Sequence, residues 1–410
     1  MDQSEPIART TARYAQKREA ILHSAAQLFN QYGIKGATLA DVASRVGLST
    51  NSITYYYKKK EDLIVACLLQ SIEVIRTLVL QAAVLPTPQE RVHTFISLSF
   101  ERLAQIERGE APAMMTFRDA QSLGSPHAEV IYASYTDLFR ATRRLLAGEG
   151  PLPSDRVALN ARTHLLLTLT VTAIRWCGRY DPNDYALLAE QVGDILLRGI
   201  GTAQARWGET ELDDTLAHTE GNAPAINDAF LRAATALINE LGYRGASVDR
   251  ISARLNVTKG SFYHHNPSKE ELICACFERT FAITRMLQLR AREGTGSGWD
   301  KLCALGRALV RYQFSEQGPL LRMSAWSELP TEIRERKLRI VTQLDQRYAS
   351  FLVEGMQDGS IRALDQAVAG YLVTGMVNAS VVLQRWVPTI TADQAVEQFV
   401  RALFMGLLAD

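Results

Sequence analysis

The sequence contains one segment twice. When the chain is slid along itself until Gly33 lies over Gly242, many positions coincide, and the match runs without a gap to Cys67 and Cys276. The identical pairs between these ends are Gly36/Gly245, Ala37/Ala246, Arg45/Arg254, Ser52/Ser261, Lys60/Lys269, Glu61/Glu270, Leu63/Leu272, Ile64/Ile273 and Ala66/Ala275, with Ala25/Ala234, Leu28/Leu237 and Asn30/Asn239 upstream. A chain of 410 residues is also longer than one hydrophobic core usually serves. We therefore expect two copies of one unit.

The composition is that of a globular protein, with 47% hydrophobic and 22% charged residues, which excludes wholesale disorder. The charges of the 45 Lys and Arg nearly cancel those of the 44 Asp and Glu. The chain as a whole therefore has too little net charge to bind nucleic acid by overall charge alone, and any nucleic-acid site would have to be a local surface. Five irregularly spaced cysteines predict no disulfide framework. The polar N-terminus and the lack of an uninterrupted apolar run of about 18 residues predict a soluble, cytoplasmic protein with no membrane partner.

Each copy is predicted to be all-α. Residues 128–146 and 160–176 have apolar positions at three- and four-residue spacing, which is the period of an amphipathic helix. Short breaks that contain Pro and Gly separate such segments. Residues 206–225 are acidic and have no apolar periodicity, as is typical of a linker between the two copies.

The repeated segment begins with the signals of two successive helices. Apolar residues from Leu22 to Phe29 form the stripe of a first helix, and Gly33 is suited to end it because glycine tolerates the left-handed conformation. Thr38 is a good N-cap for a second helix, and Asp41 stands where it can complete a capping box. The spacing therefore predicts a short second helix after Thr38.

A tight turn and a third helix follow. Gly47 supplies a residue that favours positive φ, and Asn256, which takes its place in the second copy, is enriched in the same conformation. Ser49 can N-cap a third helix that runs to Tyr56, with Ile53 facing inward. Two helices joined by such a turn form a helix-turn-helix, whose second helix enters the major groove of DNA.

The exposed side chains of the predicted recognition helices are hydroxyl, amide and basic groups. Such groups reach phosphates and base edges. The residues that we expect to contact DNA are Thr38, Thr50, Asn51, Ser52, Thr54, Tyr55, Tyr56 and Lys60 in the first copy, and Ser247, Thr258, Lys259, Gly260, Ser261, Tyr263, His264, His265 and Lys269 in the second.

The motifs GATLADVASRVGLSTNSITYYYKKKEDL and GASVDRISARLNVTKGSFYHHNPSKEEL are similar to the N-terminal signature of the tetracycline-repressor (TetR/AcrR) family of bacterial transcriptional regulators. The resemblance implies a three-helix DNA-binding domain followed by a larger helical domain that binds an effector and dimerises through its last two helices. Two positions depart from the family pattern. Thr54 replaces a phosphate-contacting Tyr, and Asn266 replaces an aromatic residue that packs the recognition helix onto the core.

The resemblance divides the chain into six parts. These are a flexible basic arm (1–14), a first DNA-binding domain (15–62), a first regulatory domain (63–205), the linker (206–225), a second DNA-binding domain (226–271) and a second regulatory domain (272–410). Because the family dimerises, we expect an intramolecular pseudo-dimer, with residues 160–180 and 185–204 against residues 365–386 and 392–408. The alternative is a homodimer of two chains.

An effector pocket is expected between the helices of each regulatory domain. The aromatic, Met and His side chains that could line it are Phe95, Met114, Phe117, Tyr135, His164, Trp176, Met323, Trp326, Tyr348, Tyr371 and Trp386. The competing interpretation is that most of these are ordinary core residues, His164 included. The resemblance implies a small hydrophobic effector, such as an aromatic compound or an acyl-CoA thioester.

Neither a metal site nor an enzyme is predicted. Cys274 and Cys276 lie two residues apart, so a helix would place them on different faces, unsuited to joint chelation. The sequence has no Gly-rich phosphate loop, zinc-protease motif or serine elbow, and no cofactor is expected. The function predicted is an effector-released repressor that reads an imperfect palindrome, because its two recognition helices differ. The alternative is a helical scaffold in which one or both helix-turn-helix units no longer bind DNA.

Overall fold

A computed structural model describes residues 4–117, 123–147, 156–208, 212, 225–258, 260, 268–329 and 331–409. Across these ranges the fold is all-α, as predicted, and two tandem units follow one another along the chain. The only extended pairing in them is an isolated antiparallel bridge between Gly201 and Ile361.

The described residues of the first half form eight α-helices. They are α1 (Ser4–Gly36), α2 (Leu39–Arg45), α3 (Thr50–Tyr56), α4 (Lys60–Ala82), α5 (Pro88–Glu107), α6 (His127–Leu146), α7 (Val157–Thr172) and α8 (Tyr185–Arg198). Short 3₁₀ turns between residues 173 and 184 join the last two. Residues 4–14, expected to be a flexible arm, form the first turns of α1 instead.

The described part of the second half follows a similar order, although most of the segment that corresponds to α3 lies outside the described residues. Its helices are α9 (Ala225–Gly245), α10 (Val248–Arg254), α11 (Lys269–Glu293), α12 (Gly298–Phe314), α13 (Thr331–Asp358), α14 (Gln366–Ser380), α15 (Leu383–Trp386), α16 (Ala392–Ala395) and α17 (Arg401–Met405). A 3₁₀ helix (Met323–Glu328) precedes α13, and a π-helical turn (Val396–Val400) joins α16 to α17.

The repeat is visible in the backbone as well as in the sequence. Gly33 interrupts α1 with φ 73°, and Gly242 interrupts α9 with φ 72°. Gly47 and Asn256 both have positive φ, at 66° and 54°. The glycine at the turn and its asparagine replacement therefore serve the same backbone conformation, as the sequence predicts.

The helices of the two regulatory halves share one hydrophobic core. It runs from the first helix-turn-helix through α4 to α8 and continues into α12, α14 and the C-terminal helices, while a separate smaller core holds the second helix-turn-helix. Helix α7 packs against α14, and α8 packs against α14 and α17. The burial of apolar side chains on both sides stabilises this arrangement at about 25 cal/mol per Å² removed from water.

Two glycines allow the ends of α8 and α17 to approach closely. The Ile200 amide donates a hydrogen bond to the Phe404 carbonyl, and the Leu407 amide donates one to the Leu196 carbonyl, each at 2.8 Å. A Cβ at Gly199 would lie 2.3 Å from the Phe404 oxygen, and one at Gly406 would lie 2.5 Å from the Leu197 oxygen. Only glycine therefore fits at either helix end.

The start of the predicted linker is anchored on the second half. The Trp207 indole donates a hydrogen bond of 2.9 Å to Glu397 and lies 4.5 Å from the Arg307 guanidinium. The Arg206 carbonyl accepts a hydrogen bond from the Trp299 indole at 2.9 Å. The linker residues 209–211 and 213–224 lie outside the described ranges.

Two helical stretches, Lys60–Ala82 and Val157–Arg179, are long and apolar enough to cross a membrane by length and composition. Both contribute to the hydrophobic core of this fold. A buried core helix meets the same criterion, so their composition is explained by packing.

Candidate DNA-binding and effector sites

The first helix-turn-helix is held by a reciprocal cap. The backbone amide of Asp41 donates to the Thr38 hydroxyl at 3.2 Å, while the Thr38 amide and hydroxyl both donate to the Asp41 carboxylate at 2.7 Å. The hydrogen bonds from Thr38 lower the pKa of Asp41. The capping box predicted from the sequence is present, and it fixes the start of α2 on the exposed side of the domain.

Helix α3 presents the predicted recognition surface. Ser49 caps it through its hydroxyl, and Ile53 anchors its inner face with no exposed area. Tyr55 is 76% exposed and is thus free to meet a partner. The Thr54 hydroxyl donates to the Asn51 carbonyl at 2.9 Å, so it is engaged within the helix.

An aromatic contact from α1 supports α3. The ring of Tyr14 stacks on that of Tyr56, with centroids 4.8 Å apart, and meets Tyr55 edge to face at 6.4 Å. The sequence does not predict this contact, because Tyr14 is the last residue of the expected flexible arm. Stacking of this kind fixes the position of two side chains that are predicted to contact DNA.

The second helix-turn-helix shares the side-chain cap and the exposed surface of the first, as far as it is described. Ser247 caps α10 by accepting a hydrogen bond from the Arg250 amide, and Thr258 and Gly260 are exposed. Lys269 lies 4.3 Å from the centre of the Tyr243 ring, a cation–π distance. The other predicted contacts, Lys259, Ser261, Tyr263, His264 and His265, lie outside the described residues.

A short segment that we call strap 1 (residues 113–116) joins α1 to the regulatory half. The Asn30 side chain donates to the Met114 carbonyl at 2.8 Å and accepts from the Thr116 amide at 2.9 Å. The Ser71 hydroxyl on α4 accepts from the Met115 amide at 2.8 Å. One asparagine therefore ties the first helix of the DNA-binding domain to this segment.

Strap 2 (residues 320–323) repeats the arrangement in the second half. The Asn239 side chain donates to the Leu320 carbonyl at 2.8 Å and accepts from the Arg322 amide at 3.0 Å. The Thr280 hydroxyl accepts from the Leu321 amide at 2.9 Å. Asn30 and Asn239 are identical positions of the sequence repeat, and the structure gives them the same role.

Four of the predicted effector-pocket residues meet at one place. The Trp386 ring stacks on Phe139 at 4.4 Å and lies 5.4 Å from Tyr135 and 6.5 Å from His164. Phe117, which follows strap 1, contacts Tyr135 edge to face at 5.5 Å. Trp386 was assigned by sequence to a pocket of the second copy, yet these contacts are all with the first half.

Trp176 of the first half in turn contacts an aromatic residue of the second half. Its ring stacks on Tyr371 of the second half at 4.9 Å, and Arg179 donates a hydrogen bond of 2.7 Å to the Tyr371 hydroxyl. The remaining predicted residues are dispersed, with Phe95 and Tyr348 buried in the core of the regulatory helices. Trp326 packs against Phe277 and Phe281 in the core beside the second helix-turn-helix, and Met114 and Met323 belong to the straps.

His164 has the contacts of a core histidine. Its Nε2 lies 3.0 Å from the Ala379 carbonyl, which can only accept, so Nε2 carries a proton. Nδ1 lies 3.3 Å from the Thr168 hydroxyl. Burial lowers the pKa of His164 to about 4, and the ring is therefore neutral at physiological pH.

Arg322 on strap 2 lies at the same place and was not among the predicted residues. Burial, assisted by the guanidiniums of Arg175 and Arg385, lowers its pKa to about 10, and the charge of Arg322 in turn acts on Tyr135 and His164. Its loop position has no periodic or motif signal in the sequence.

Two helix-turn-helix domains, each followed by regulatory helices, define a DNA-binding protein of the bacterial regulator class. The sequence profile described as "Bacterial regulatory proteins, tetR family" matches residues 21–67 and 230–276. The profile "Tetracyclin repressor-like, C-terminal domain" matches residues 295–406. The chain belongs to the TetR family and carries its DNA-binding domain twice.

Two of the individual proteins that the chain resembles have low sequence identity with it. The chain is similar to the transposon Tn10 TetC protein of Escherichia coli, with 26% identity over 27% of this chain and 59% of that protein. It is also similar to the HTH-type transcriptional repressor DhaR of Mycobacterium sp. (strain GP1), with 27% identity over 33% of this chain and 70% of that protein. The match thus spans less than two thirds of the TetC protein.

Two solved structures align with less than half of the chain. The TetR family transcriptional regulator PfmR from Thermus thermophilus has 24% identity and a TM-score of 0.38 over 43% of this chain and 98% of its own. The structure of apo AibR has 22% identity and a TM-score of 0.37 over 44% of this chain and 99% of its own.

Proposed function

We propose that the protein is a cytoplasmic transcriptional regulator that reads one operator with two different recognition helices of the same chain. The observation that carries this proposal is the repeated helix-turn-helix, with equivalent caps at Thr38 and Ser247 and equivalent turns at Gly47 and Asn256. Helix α3 differs in sequence from the corresponding segment of the second copy. The operator is therefore expected to be an imperfect palindrome.

Reciprocal contacts between the halves support an intramolecular pseudo-dimer. An isologous interface uses the same surface on both partners, so each contact occurs twice. The Ile200 to Phe404 and Leu407 to Leu196 hydrogen bonds form such a pair at the ends of α8 and α17. The Trp176–Tyr371 and Trp386–His164 stacks form a second pair, because Tyr371 lies on α14 and His164 lies on α7, the helix at the corresponding position of the first half.

An effector would release the protein from DNA by changing the distance between the two recognition helices. Recognition helices must lie about one DNA turn apart, roughly 34 Å, or a multiple of it. A ligand that prefers another spacing lowers DNA affinity by linkage, with coupling typically on the order of 1–3 kcal/mol. The regulatory helices and the straps provide the physical connection for this coupling.

Selection of bound DNA from a random pool tests the proposal. We expect the wild-type chain to enrich a two-part site, Tyr55→Ala to alter one half-site, and Lys259→Ala to alter the other. Arg140→Gln is the matched control, because Arg140 is exposed on α6 and its ion pair within the described part of the chain is with Asp137. Failure of the wild-type chain to enrich any site, or identical motifs and affinities in both recognition variants, would favour the scaffold alternative.

A further inference from the structure

We propose that Arg279 is the positioning residue that fixes the second helix-turn-helix on the regulatory helices and so sets the half-site spacing that the protein accepts. Its guanidinium joins Asp228 of α9 to the Tyr312 hydroxyl of α12 and to the Gln317 carbonyl. The inference rests on the proposed function, since it concerns how one of the two recognition units is held for reading an operator.

The second helix-turn-helix depends on such an attachment because its hydrophobic core is separate. Among the described residues, the core of the first helix-turn-helix is continuous with that of the regulatory helices. The core of the second extends to Leu321 of strap 2 and Leu344 of α13, but it does not merge with the shared core, to which Tyr312 belongs. Where apolar packing stops, directional hydrogen bonds fix the orientation of one part on the other.

Arg279 contacts three different parts of the chain. Its Nε donates to Asp228 Oδ1 at 2.8 Å, and its Nη2 donates to the Tyr312 hydroxyl at 3.0 Å and to the Gln317 carbonyl at 2.6 Å. Asp228 lies in the first turn of α9, and Gln317 precedes strap 2. Because a guanidinium is planar and holds its donors in fixed directions, the three partners are fixed relative to one another.

The ion pair at the centre of this arrangement is sheltered from water. The side chain of Arg279 is 9% exposed and that of Asp228 is 28% exposed. Exposed ion pairs contribute little, whereas loss of one member of a sheltered pair leaves a charge without its partner. Arg232 of α9 adds an ion pair with Asp228 at 3.3 Å and a hydrogen bond to the Gln317 side chain. Two arginines therefore join the start of α9 to the loop before strap 2.

The first unit is attached by different chemistry. The sequence repeat places Gln70 at the position of Arg279 and His23 at that of Arg232. Glutamine is uncharged, so the ion pair cannot form there. His23 instead accepts a hydrogen bond of 2.9 Å from the Ala113 amide of strap 1. The continuous core and hydrogen bonds hold the first unit, and an ionic contact is specific to the second.

A firmly held recognition unit restricts the spacing between the two half-sites. A turn of DNA of about 34–36 Å contains 10–10.5 base pairs, so one additional base pair moves a half-site by about 3.4 Å and rotates it by roughly 35°. A unit fixed by directional hydrogen bonds cannot follow this change without breaking them. Loss of the Arg279 contacts should therefore make the protein tolerant of other spacings.

Operators of altered spacing test this role. The probes are the operator that the full-length wild-type chain selects and two derivatives with one base pair inserted or removed midway between the half-sites, and the measurement is fluorescence anisotropy. We expect the wild type to bind both derivatives at least tenfold more weakly, and Arg279→Gln, which copies Gln70, to bind them less than threefold more weakly. Asp228→Asn removes the same ion pair from α9 and should also relax the spacing. The double variant should add nothing further, because both changes break one contact.

Glu240→Gln is the matched control. Glu240 forms an exposed ion pair with Arg254 inside the second helix-turn-helix, so its loss leaves the attachment intact and the spacing dependence should stay that of the wild type. Circular dichroism and the melting temperature establish that each variant is folded. Hydrogen exchange of DNA-free protein gives a second measurement. The amides of Leu321 and Arg322, which are held by the Thr280 and Asn239 side chains, should exchange at least tenfold faster in Arg279→Gln, with strap 1 unchanged.

The inference alone is overturned if an operator is selected and the wild type tolerates the altered spacings, if Arg279→Gln and Asp228→Asn keep the wild-type spacing dependence, or if Glu240→Gln relaxes it equally. Unchanged exchange in strap 2 also contradicts it. If the wild-type chain selects no operator, the proposed function fails together with the inference, so the two failures are distinguishable.

Discussion

The turn residues of the two helix-turn-helix units show how one backbone requirement is met by two amino acids. Gly47 and Asn256 adopt left-handed conformations at equivalent positions. No neighbouring atom lies within 4 Å of a Cβ built at Gly47, so a substitution there is resisted by backbone strain alone. Substitutions at Gly47 therefore measure the free-energy cost of the left-handed backbone conformation without a contribution from steric clashes.

We expect Gly47→Ala to destabilise the first domain by about 1 kcal/mol or more, because L-residues pay about this much in the left-handed region. Gly47→Asn, which copies the second unit, should cost less, and Asn256→Gly should be nearly neutral. The measurement is the melting temperature of each variant together with its affinity for the selected DNA. Equal losses for Ala and Asn would show that side-chain contacts, rather than φ, govern the site.

His164 makes stability depend on pH. Its pKa is about 4 in the folded protein against an ordinary value of 6.5, so the unfolded chain takes up a proton first as the pH falls. The stabilisation is complete above about pH 6.5 and is lost progressively towards pH 4. At 1.36 kcal/mol per pH unit, about 2 kcal/mol is lost by pH 5.

Unfolding titrations between pH 7.5 and pH 5 measure this loss. His164→Gln should flatten the pH dependence, because the Gln amide can still donate to the Ala379 carbonyl but does not titrate. Thr168→Val is the matched control: it removes the hydroxyl next to Nδ1 and leaves the ring in place, so the slope should persist. An unchanged slope in His164→Gln would assign the pH dependence to other groups.

At the scale of the elements, the N-terminal part of α1 acts as a brace for α3. Tyr14 stacks on Tyr56 and contacts Tyr55, and aromatic pairs contribute about 0.5–1.5 kcal/mol. Tyr14→Ala should therefore weaken DNA binding by up to about tenfold, whereas Tyr14→Phe keeps the stack and should bind normally. Fluorescence anisotropy with the selected operator is the measurement, and equal affinities for the two variants would contradict a bracing role.

The elements that the sequence predicts best are those with local signals. The cap at Thr38, the turn at Gly47 and the start of α3 after Ser49 follow from side chains that bond to their own backbone. The straps have no such signal, because their amides are satisfied by residues far away in the sequence. Asn30 and Asn239 stand out in the repeat, but only the fold brings Thr116 and Arg322 to them.

The pocket residues show the same limit for tertiary contacts. From the sequence, Tyr135 and Trp386 are each predicted to line a pocket of their own copy. The pairing of Trp386 with α6 depends on how the two halves pack, and periodicity within one helix carries no information about the partner helix. Buried apolar residues are also too common for their identity alone to separate a pocket from a core.

At the scale of the molecule, the two halves of the chain are joined by a shared hydrophobic core. The core that joins α7 and α8 to α14 and α17 continues across the two halves without a break. Arg362 adds a polar contact across the same boundary, with an ion pair to Asp194 and a hydrogen bond of 2.8 Å to the Gly199 carbonyl. The linker would then connect two halves that already bind each other through this interface.

This predicts the outcome of cutting the linker. A protease site placed within residues 213–220 should yield two fragments that still elute together with the mass of one 45.5 kDa chain and still bind the operator. Gly199→Ala should weaken the nicked complex, because its Cβ would meet the Phe404 carbonyl at 2.3 Å, whereas Gly178→Ala has no atom within 4 Å and is the matched control. The intramolecular pseudo-dimer is contradicted if the wild-type fragments separate. It is also contradicted, in favour of a homodimer of two chains, if the uncut protein binds a symmetric site as a particle of twice the chain mass.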